Sequence, residues 1–343
     1  MRRPLLVLLL VLALGLLAAV ELRVAVAIDG KRLTLALSAI EHLLEGETHW
    51  RVYGGRVLTP VLLRGAMALT GAAALPAFLG LMAALLAIGK FAAWWGLRPL
   101  ARSDAEAWVA LLALTLGGLL LRNGQPLYLW DAVDMVLAAL AVGLCARGGG
   151  SIAAWALLLL LAACNREGAV LLGVAPVVHA LTGGRRDGRT AMLAGALTAG
   201  SFGLAFALRE AVFVRATLEV GEGAARAGAG IVHLRVAENF ATLGTELLGL
   251  LEPMRLLALR PLVVLPALVP LLALALRPRA VWQRLPGITT TAWLLVGATL
   301  VAGEVLEGRV WAILLPLDAA LMLAMLGGPS APSSAKTAVK KTA

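Results

Sequence analysis

The sequence has 343 residues, of which 61% are hydrophobic and 15% are charged, and its formal net charge at pH 7 is +10. Soluble domains are about half apolar and a quarter charged, so this chain is more apolar and less charged than they are. Together with a mean hydropathy of +0.90, this composition excludes a soluble globular protein. The basic residues occur in small groups between apolar runs, without the basic groove and interleaved aromatics of a nucleic-acid-binding protein, so no nucleic-acid partner is expected.

The apolar runs predict an all-α polytopic membrane bundle of about ten transmembrane helices. Each crossing of a hydrocarbon core about 30 Å thick requires roughly 20 helical residues. The first run follows Arg2-Arg3 and resembles a signal peptide, but an uncleaved span is preferred because many spans follow. The bundle is assigned to residues 1–328, and residues 329–343 are expected to form a disordered basic tail. The predicted spans are 4–20, 72–94, 105–121, 127–145, 151–164, 168–182, 190–208, 256–276, 288–304 and 309–326.

The loops between these spans fall into two sides with different charge. On one side they are short and basic, and the positive-inside rule places them and both termini in the cytoplasm, as in a bacterial inner membrane. On the other side the long segments 21–71 and 209–255 mix acids, bases, amides and histidines, so chemistry is expected at the extracytoplasmic face. Helical periodicity in 33–44 and 231–251 predicts amphipathic helices, which either lie in the membrane interface or pack against the bundle.

Asp29 is a candidate general base at the start of the first long outer segment. A carboxylate there can accept the proton of an acceptor hydroxyl if the two groups lie within hydrogen-bond reach. The alternative is a solvated turn residue beside Gly30.

Asp131 and Asp134 lie three residues apart in the fourth predicted span and therefore share one helix face. A carboxylate in mid-span costs roughly 2.5–3.5 kcal/mol on insertion scales, so both should face a cavity or a cation. Arg122, Arg166 and Arg309 are the candidate cations. The pattern fits either a structural ion-pair network or a substrate or proton site.

Strongly polar residues also occupy the junctions between spans. Asn165-Arg166-Glu167 joins two apolar runs with almost no loop, and Glu307 and Arg309 repeat the theme before the last run. Arg56 flanks the end of the first outer segment, where a guanidinium group suits either a phosphate or a lipid head group. A polar cavity at the outer face is expected from convergence of Asp131, Asp134, Arg166, Glu167, Glu307 and Arg309.

Three of these segments carry a family resemblance. The chain resembles bacterial polytopic membrane proteins related to the GT-C glycosyltransferases in Arg56-Val57-Leu58-Thr59-Pro60, Asn165-Arg166-Glu167-Gly168 and Glu307-Gly308-Arg309-Val310-Trp311. The resemblance implies a reaction at the extracytoplasmic face with a sugar delivered on a polyprenyl phosphate. It also implies Asp29 as the base, and Arg56, Arg166 and Arg309 near the lipid phosphate.

Two other classes of function remain open. A transporter or flippase for a polar or lipid-linked solute would use Asp131 and Asp134 inside the membrane, whereas a non-catalytic scaffold subunit would tolerate substitution of any single polar residue. Neither a cofactor nor a metal is expected, because the two cysteines and four histidines form no ligand cluster. Membrane lipid is the expected partner, and the sequence identifies no protein partner.

Overall fold

The computed structural model describes residues 2–45, 56–121, 128–182, 187–213, 236–249, 265–276, 278–302 and 311–327. Within these ranges the chain is helical and contains no strand, which agrees with the predicted all-α class. The helices are α1 (Arg2–Glu45), α2 (Leu58–Thr70), α3 (Ala74–Leu97), α4 (Asp104–Leu121), α5 (Leu129–Ala146), α6 (Ile152–Asn165), a 3-10 helix (Glu167–Gly173), α7 (Val174–Thr182), α8 (Gly188–Phe213), α9 (Val236–Gly249), α10 (Leu265–Leu276), α11 (Pro278–Arg284), α12 (Pro286–Ala302) and α13 (Leu314–Leu326).

Five helical segments of the described chain are long and apolar enough to cross a membrane. They are Pro4–Ala27, Ala74–Leu97, Asp104–Leu121, Leu129–Ala146 and Gly188–Leu208. Five further apolar segments are shorter, with 10–17 residues: Leu58–Thr70, Ile152–Asn165, Glu167–Thr182, Pro286–Val301 and Leu314–Leu326. The all-α class is therefore confirmed and five helices are compatible with membrane crossings, whereas the count of ten spans stays a prediction.

The outer segment predicted to begin at residue 21 is helical as far as Glu45, because α1 continues without interruption to that residue. Its location outside the membrane stays a prediction. Leu33, Leu37 and Ile40 are buried and extend the packing face of the helix beyond the first span. Gly30 lies in this stretch, but a single glycine in a helix costs only about 1 kcal/mol and does not end it. The predicted amphipathic helix at 33–44 is thus the continuation of α1, and that at 231–251 corresponds to α9. Residues 46–55 and the predicted tail at 329–343 lie outside the described residues.

The predicted span 168–182 is not one α-helix. Arg166 has an extended backbone conformation (φ −169°, ψ 135°), which separates α6 from the 3-10 helix and α7 that follow. A 3-10 segment of seven residues is longer than the usual three or four. It is held on α8, where the Thr198 hydroxyl donates a hydrogen bond to the Gly173 carbonyl oxygen at 3.0 Å. Because of this break, the side chains of Asn165 and Arg166 lie at the end of α6, next to α5.

Four arginines of the short basic segments lie where helices end, and we call Arg98, Arg102, Arg147 and Arg284 the basic end. Arg102 and Arg284 donate to the last carbonyl groups of the α13 region, at Leu326 (2.5 Å) and at Ala324 (3.4 Å). Arg147 donates to the Trp95 carbonyl oxygen at 2.6 Å and lies 4.0 Å from the centroid of its ring. Arg98 pairs with Asp104. These contacts join short basic segments that are far apart in the sequence. The same segments were predicted to lie on one side of the membrane.

Close packing of α3 on α5 gives a testable expectation at Gly96. A Cβ atom there would lie 2.9 Å from the Ala139 carbonyl oxygen and 3.1 Å from the Gly143 nitrogen. Both are backbone atoms, so the helices must separate, and we expect Gly96→Ala to destabilise the protein by about 1–3 kcal/mol. Gly80→Ala in the same helix is the control, because nothing lies within 4 Å of its added methyl group. Equal stability of the two variants in mixed detergent micelles would contradict this packing.

Candidate functional site

Asp131 and Asp134 lie in the first two turns of α5, the most buried of the long apolar helices described. Their side chains are 4% and 2% exposed, so neither carboxylate faces lipid. Both lie near the N-terminal end of α5, where the helix dipole favours negative charge. Burial of two carboxylates on one helix face nonetheless requires a cation close by.

Arg166 supplies that cation. Its Nη1 atom lies 3.4 Å from Asp131 Oδ1 and 3.3 Å from Asp134 Oδ2. The neighbouring Asn165 donates through Nδ2 to Asp134 Oδ1 at 2.7 Å and to the Trp130 carbonyl oxygen at 2.9 Å. Because α6 ends at Asn165 and Arg166 is extended, two consecutive side chains reach the same helix. The predicted contact between the α5 carboxylates and the Asn165-Arg166-Glu167 junction is present.

A third segment of the chain brings Arg56 to the same place. Arg56 is 7% exposed, and its guanidinium carbon lies 4.7 Å from the centroid of the Trp130 ring. Trp130 stacks in turn on Tyr128, with 4.3 Å between ring centroids and 14° between ring planes. We call Arg56, Asp131, Asp134, Asn165 and Arg166 the carboxylate–arginine cluster. Its two arginines and two aspartates are formally balanced in charge.

The carboxylate–arginine cluster and the basic end lie at opposite ends of α5. Asp131 and Arg147 are sixteen positions apart in the sequence, which corresponds to about 24 Å along a helix that rises 1.5 Å per residue. This separation approaches the thickness of a bilayer core, about 30 Å. The two polar regions therefore lie where the two faces of a membrane would be.

The remaining predicted site residues are not placed in this cluster. Glu167 begins the 3-10 helix directly after Arg166 and is partly exposed. The backbone of Asp29 belongs to α1 instead of a loop, and its side chain lies outside the described residues. Glu307 and Arg309, like the alternative cation Arg122, also lie outside the described part of the chain.

The sequence analysis missed a second buried ion pair. Lys90 Nζ on α3 lies 2.5 Å from Glu21 Oε2 on α1, and the two side chains are 2% and 0% exposed. Lys90 also lines a small cavity together with Met135 of α5 and Pro316 of α13. The signal was visible, because a lysine in an apolar run carries the same insertion cost that drew attention to Asp131. A buried aspartate on α13, Asp318, was missed in the same way.

Comparison of the chain with protein-family models, with curated proteins and with solved structures finds no match. Function is therefore argued from the residues and contacts described above.

Proposed function

We propose that this chain transfers a sugar from a polyprenyl phosphate carrier at the extracytoplasmic face of the bacterial inner membrane. In this proposal it has about ten spans, with the basic end and both termini in the cytoplasm. The observation that supports the proposal most is the buried carboxylate–arginine cluster at the end of α5 remote from the basic end. It contains Arg56 and Arg166, which belong to two of the three motifs that carry the resemblance to GT-C glycosyltransferases.

The chemistry of the cluster suits a phosphate group held close to a membrane surface. Guanidinium groups bind phosphate oxygens well. Arg56, which precedes α2, lies over the Trp130 ring, and Arg166, which follows α6, contacts Asp134. The contacts of Arg166 with the two aspartates run through one nitrogen at 3.3 and 3.4 Å, longer than the roughly 2.7–2.9 Å of a strong charge-assisted pair. An incoming phosphate can therefore replace weak contacts, while Asn165 holds Asp134 in place.

In the proposed reaction, the oxygen of an acceptor hydroxyl forms a bond to the anomeric carbon of the sugar. The bond between that carbon and the phosphate oxygen breaks, and the polyprenyl phosphate leaves with both bonding electrons. Asp29 is the proposed base and takes the proton of the acceptor hydroxyl. Arg56 and Arg166 stabilise the negative charge that develops on the leaving phosphate, and Arg309 is the third proposed phosphate-side residue.

Mass spectrometry of lipids that copurify with the protein tests this proposal. Wild type and Arg189→Ala are expected to retain a polyprenyl phosphate, whereas Arg166→Ala is expected to lose it. Arg189 is the matched control because it is an exposed arginine outside the cluster. Loss from both variants, or bulk phospholipid alone in wild type, would contradict the proposed site.

Transport of a polar or lipid-linked solute is the second candidate, and the Glu21–Lys90 pair favours it. A fully buried pair of opposite charges inside a helical bundle is typical of solute or proton pathways as well as of structural networks. In proteoliposomes, a transporter would move solute or protons in a manner that depends on Glu21, Lys90, Asp131 or Asp134. Unchanged flux in all four single variants would remove this candidate.

A further inference from the structure

Asp318 lies in the middle of α13, in a stretch of helix that is buried on every side. It is 5% exposed, and all its neighbours from Trp311 to Leu321 are buried as well. Asp318 is nine positions from Gly327, whose carbonyl oxygen accepts a hydrogen bond from Arg284 of the basic end. At 1.5 Å per residue this corresponds to roughly 14 Å, or about half of a bilayer core.

Neither carboxylate oxygen of Asp318 has a hydrogen-bond partner, and the side chain forms no ion pair with any described residue. The buried carboxylates of Glu21, Asp131 and Asp134 each lie within ion-pair distance of a lysine or an arginine, and Asp318 differs from them in this respect. An isolated ionised carboxylate in an apolar interior is so costly that such a group neutralises instead.

On the described helices that pack against α13, no charged group pairs with Asp318. On α3, Lys90 is held by Glu21, and on α11, Arg284 binds carbonyl groups at the end of α13. α10 and α12 contain no charged residue. On α4, Asp104 and Glu106 pair with Arg98 and Arg102. On α5, Asp131 and Asp134 pair with Arg166, and Cys145 is the other titratable group. The second arginine of α11, Arg279, is exposed.

Two further features of the bundle lie at a similar depth. Thr291 on α12 is fully buried, and its hydroxyl group likewise has no hydrogen-bond partner. Arg284 donates a hydrogen bond to the Ala324 carbonyl oxygen and so marks a common level for α12 and α13, which pack against each other. Thr291 is seven positions from Arg284, and Asp318 is six positions from Ala324. The two side chains therefore lie at a similar depth. Pro316, two residues from Asp318, lines the small cavity beside Lys90.

We propose that Asp318 is an intramembrane proton-binding site, whose carboxyl group takes up and releases a proton inside the bundle. The ligand is a proton instead of a metal cation, because the one other unsatisfied oxygen placed at this depth in the described part of the chain is the Thr291 hydroxyl group, whereas a cation such as Ca²⁺ takes six to eight oxygen ligands. This site is separate from the carboxylate–arginine cluster and does not depend on the proposed transferase activity.

Modification by dicyclohexylcarbodiimide tests the proposal directly in the full chain. A buried carboxylic acid transfers its proton to a carbodiimide nitrogen while a carboxyl oxygen bonds to the central carbon, and the adduct rearranges to a stable N-acylurea. Cleavage after Arg309 and Lys336 yields a tryptic peptide, residues 310–336, in which Asp318 is the sole acidic side chain. A mass increase of one carbodiimide on that peptide therefore reports on this residue alone.

In detergent micelles near neutral pH, we expect peptide 310–336 to carry the adduct in wild type and in Asp134→Asn, and to lose it in Asp318→Asn. The extent of modification should fall as the pH is raised. An unmodified peptide in the folded protein that becomes modified only after unfolding in SDS would overturn the proposal. Protection by Na⁺ at constant pH would also overturn it, since it would identify a cation site. Because the wild-type pH dependence is itself decisive, the test holds even if Asp318→Asn folds poorly.

Discussion

Lys90→Met is expected to lower the free energy of unfolding by about 3–5 kcal/mol, because it leaves the Glu21 carboxylate in the bundle without the ammonium group 2.5 Å away. Loss of one partner of a buried pair is costly because the remaining charge is still removed from water. Equilibrium unfolding in mixed detergent micelles measures the change. Arg189→Met, which removes an exposed cation, should have almost no effect.

The double variant Glu21→Leu/Lys90→Met separates a buried charge from a general packing defect. Replacement of a whole buried pair by apolar side chains of similar size is often neutral or stabilising, so this variant should recover most of the stability lost in Lys90→Met. The Glu21 side chain packs against Gly118, since a Cβ atom added to that glycine would lie 3.5 Å from Glu21 Oε1. A double variant as unstable as the single one would show that the charge is not the cause.

Arg166→Met is expected to have an effect of similar size, about 3–5 kcal/mol, because Asp131 and Asp134 then share a buried site without the cation that contacts both of them. Arg166→Lys should be milder, since it keeps the charge but not the planar geometry of the guanidinium group. Unfolding in mixed micelles again provides the measurement.

The double variant Asp134→Asn/Arg166→Met distinguishes folding from function in this cluster. It removes one charge of each sign and leaves Arg56 and Asp131 balanced, so we expect stability close to that of wild type. Retention of polyprenyl phosphate should nevertheless be lost, because Arg166 is gone. A stable Asp134→Asn/Arg166→Met variant that still retains the lipid would show that the cluster is structural, and an unstable one would show that its charges are not balanced against each other.

Insertion cost and helix periodicity were sufficient to predict the core of the candidate site. Asp131 and Asp134 share a helix face because they are three residues apart, and two carboxylates inside a span require a cation. The Asn165-Arg166-Glu167 junction has so little loop that its side chains must lie next to the ends of two spans. These local arguments identified the residues, but the choice of Arg166 over Arg122 or Arg309 depends on which helices are neighbours.

The errors have a common physical cause. Hydropathy marks where a helix enters lipid but not where it ends, so α1 was divided at residue 21 although its buried stripe of Leu33, Leu37 and Ile40 continues the helix. Glu21 was then assigned to a loop, and its pairing with Lys90 on another helix was invisible in one sequence. Likewise, the 3-10 helix after Arg166 results from packing on α8, which no local pattern encodes.

Photoaffinity labelling tests most directly whether the carboxylate–arginine cluster binds the phosphate of a polyprenyl carrier. The probe is a polyprenyl phosphate with a diazirine close to the phosphate, applied to wild type and to the charge-balanced variant Asp134→Asn/Arg166→Met. The account predicts crosslinks on peptides that contain Arg56, Trp130 or Arg166, competed by unlabelled polyprenyl phosphate but not by phosphatidylglycerol, and absent from Asp134→Asn/Arg166→Met. Crosslinks at the basic end around Arg102, Arg147 and Arg284, or equal labelling of both proteins, would contradict it.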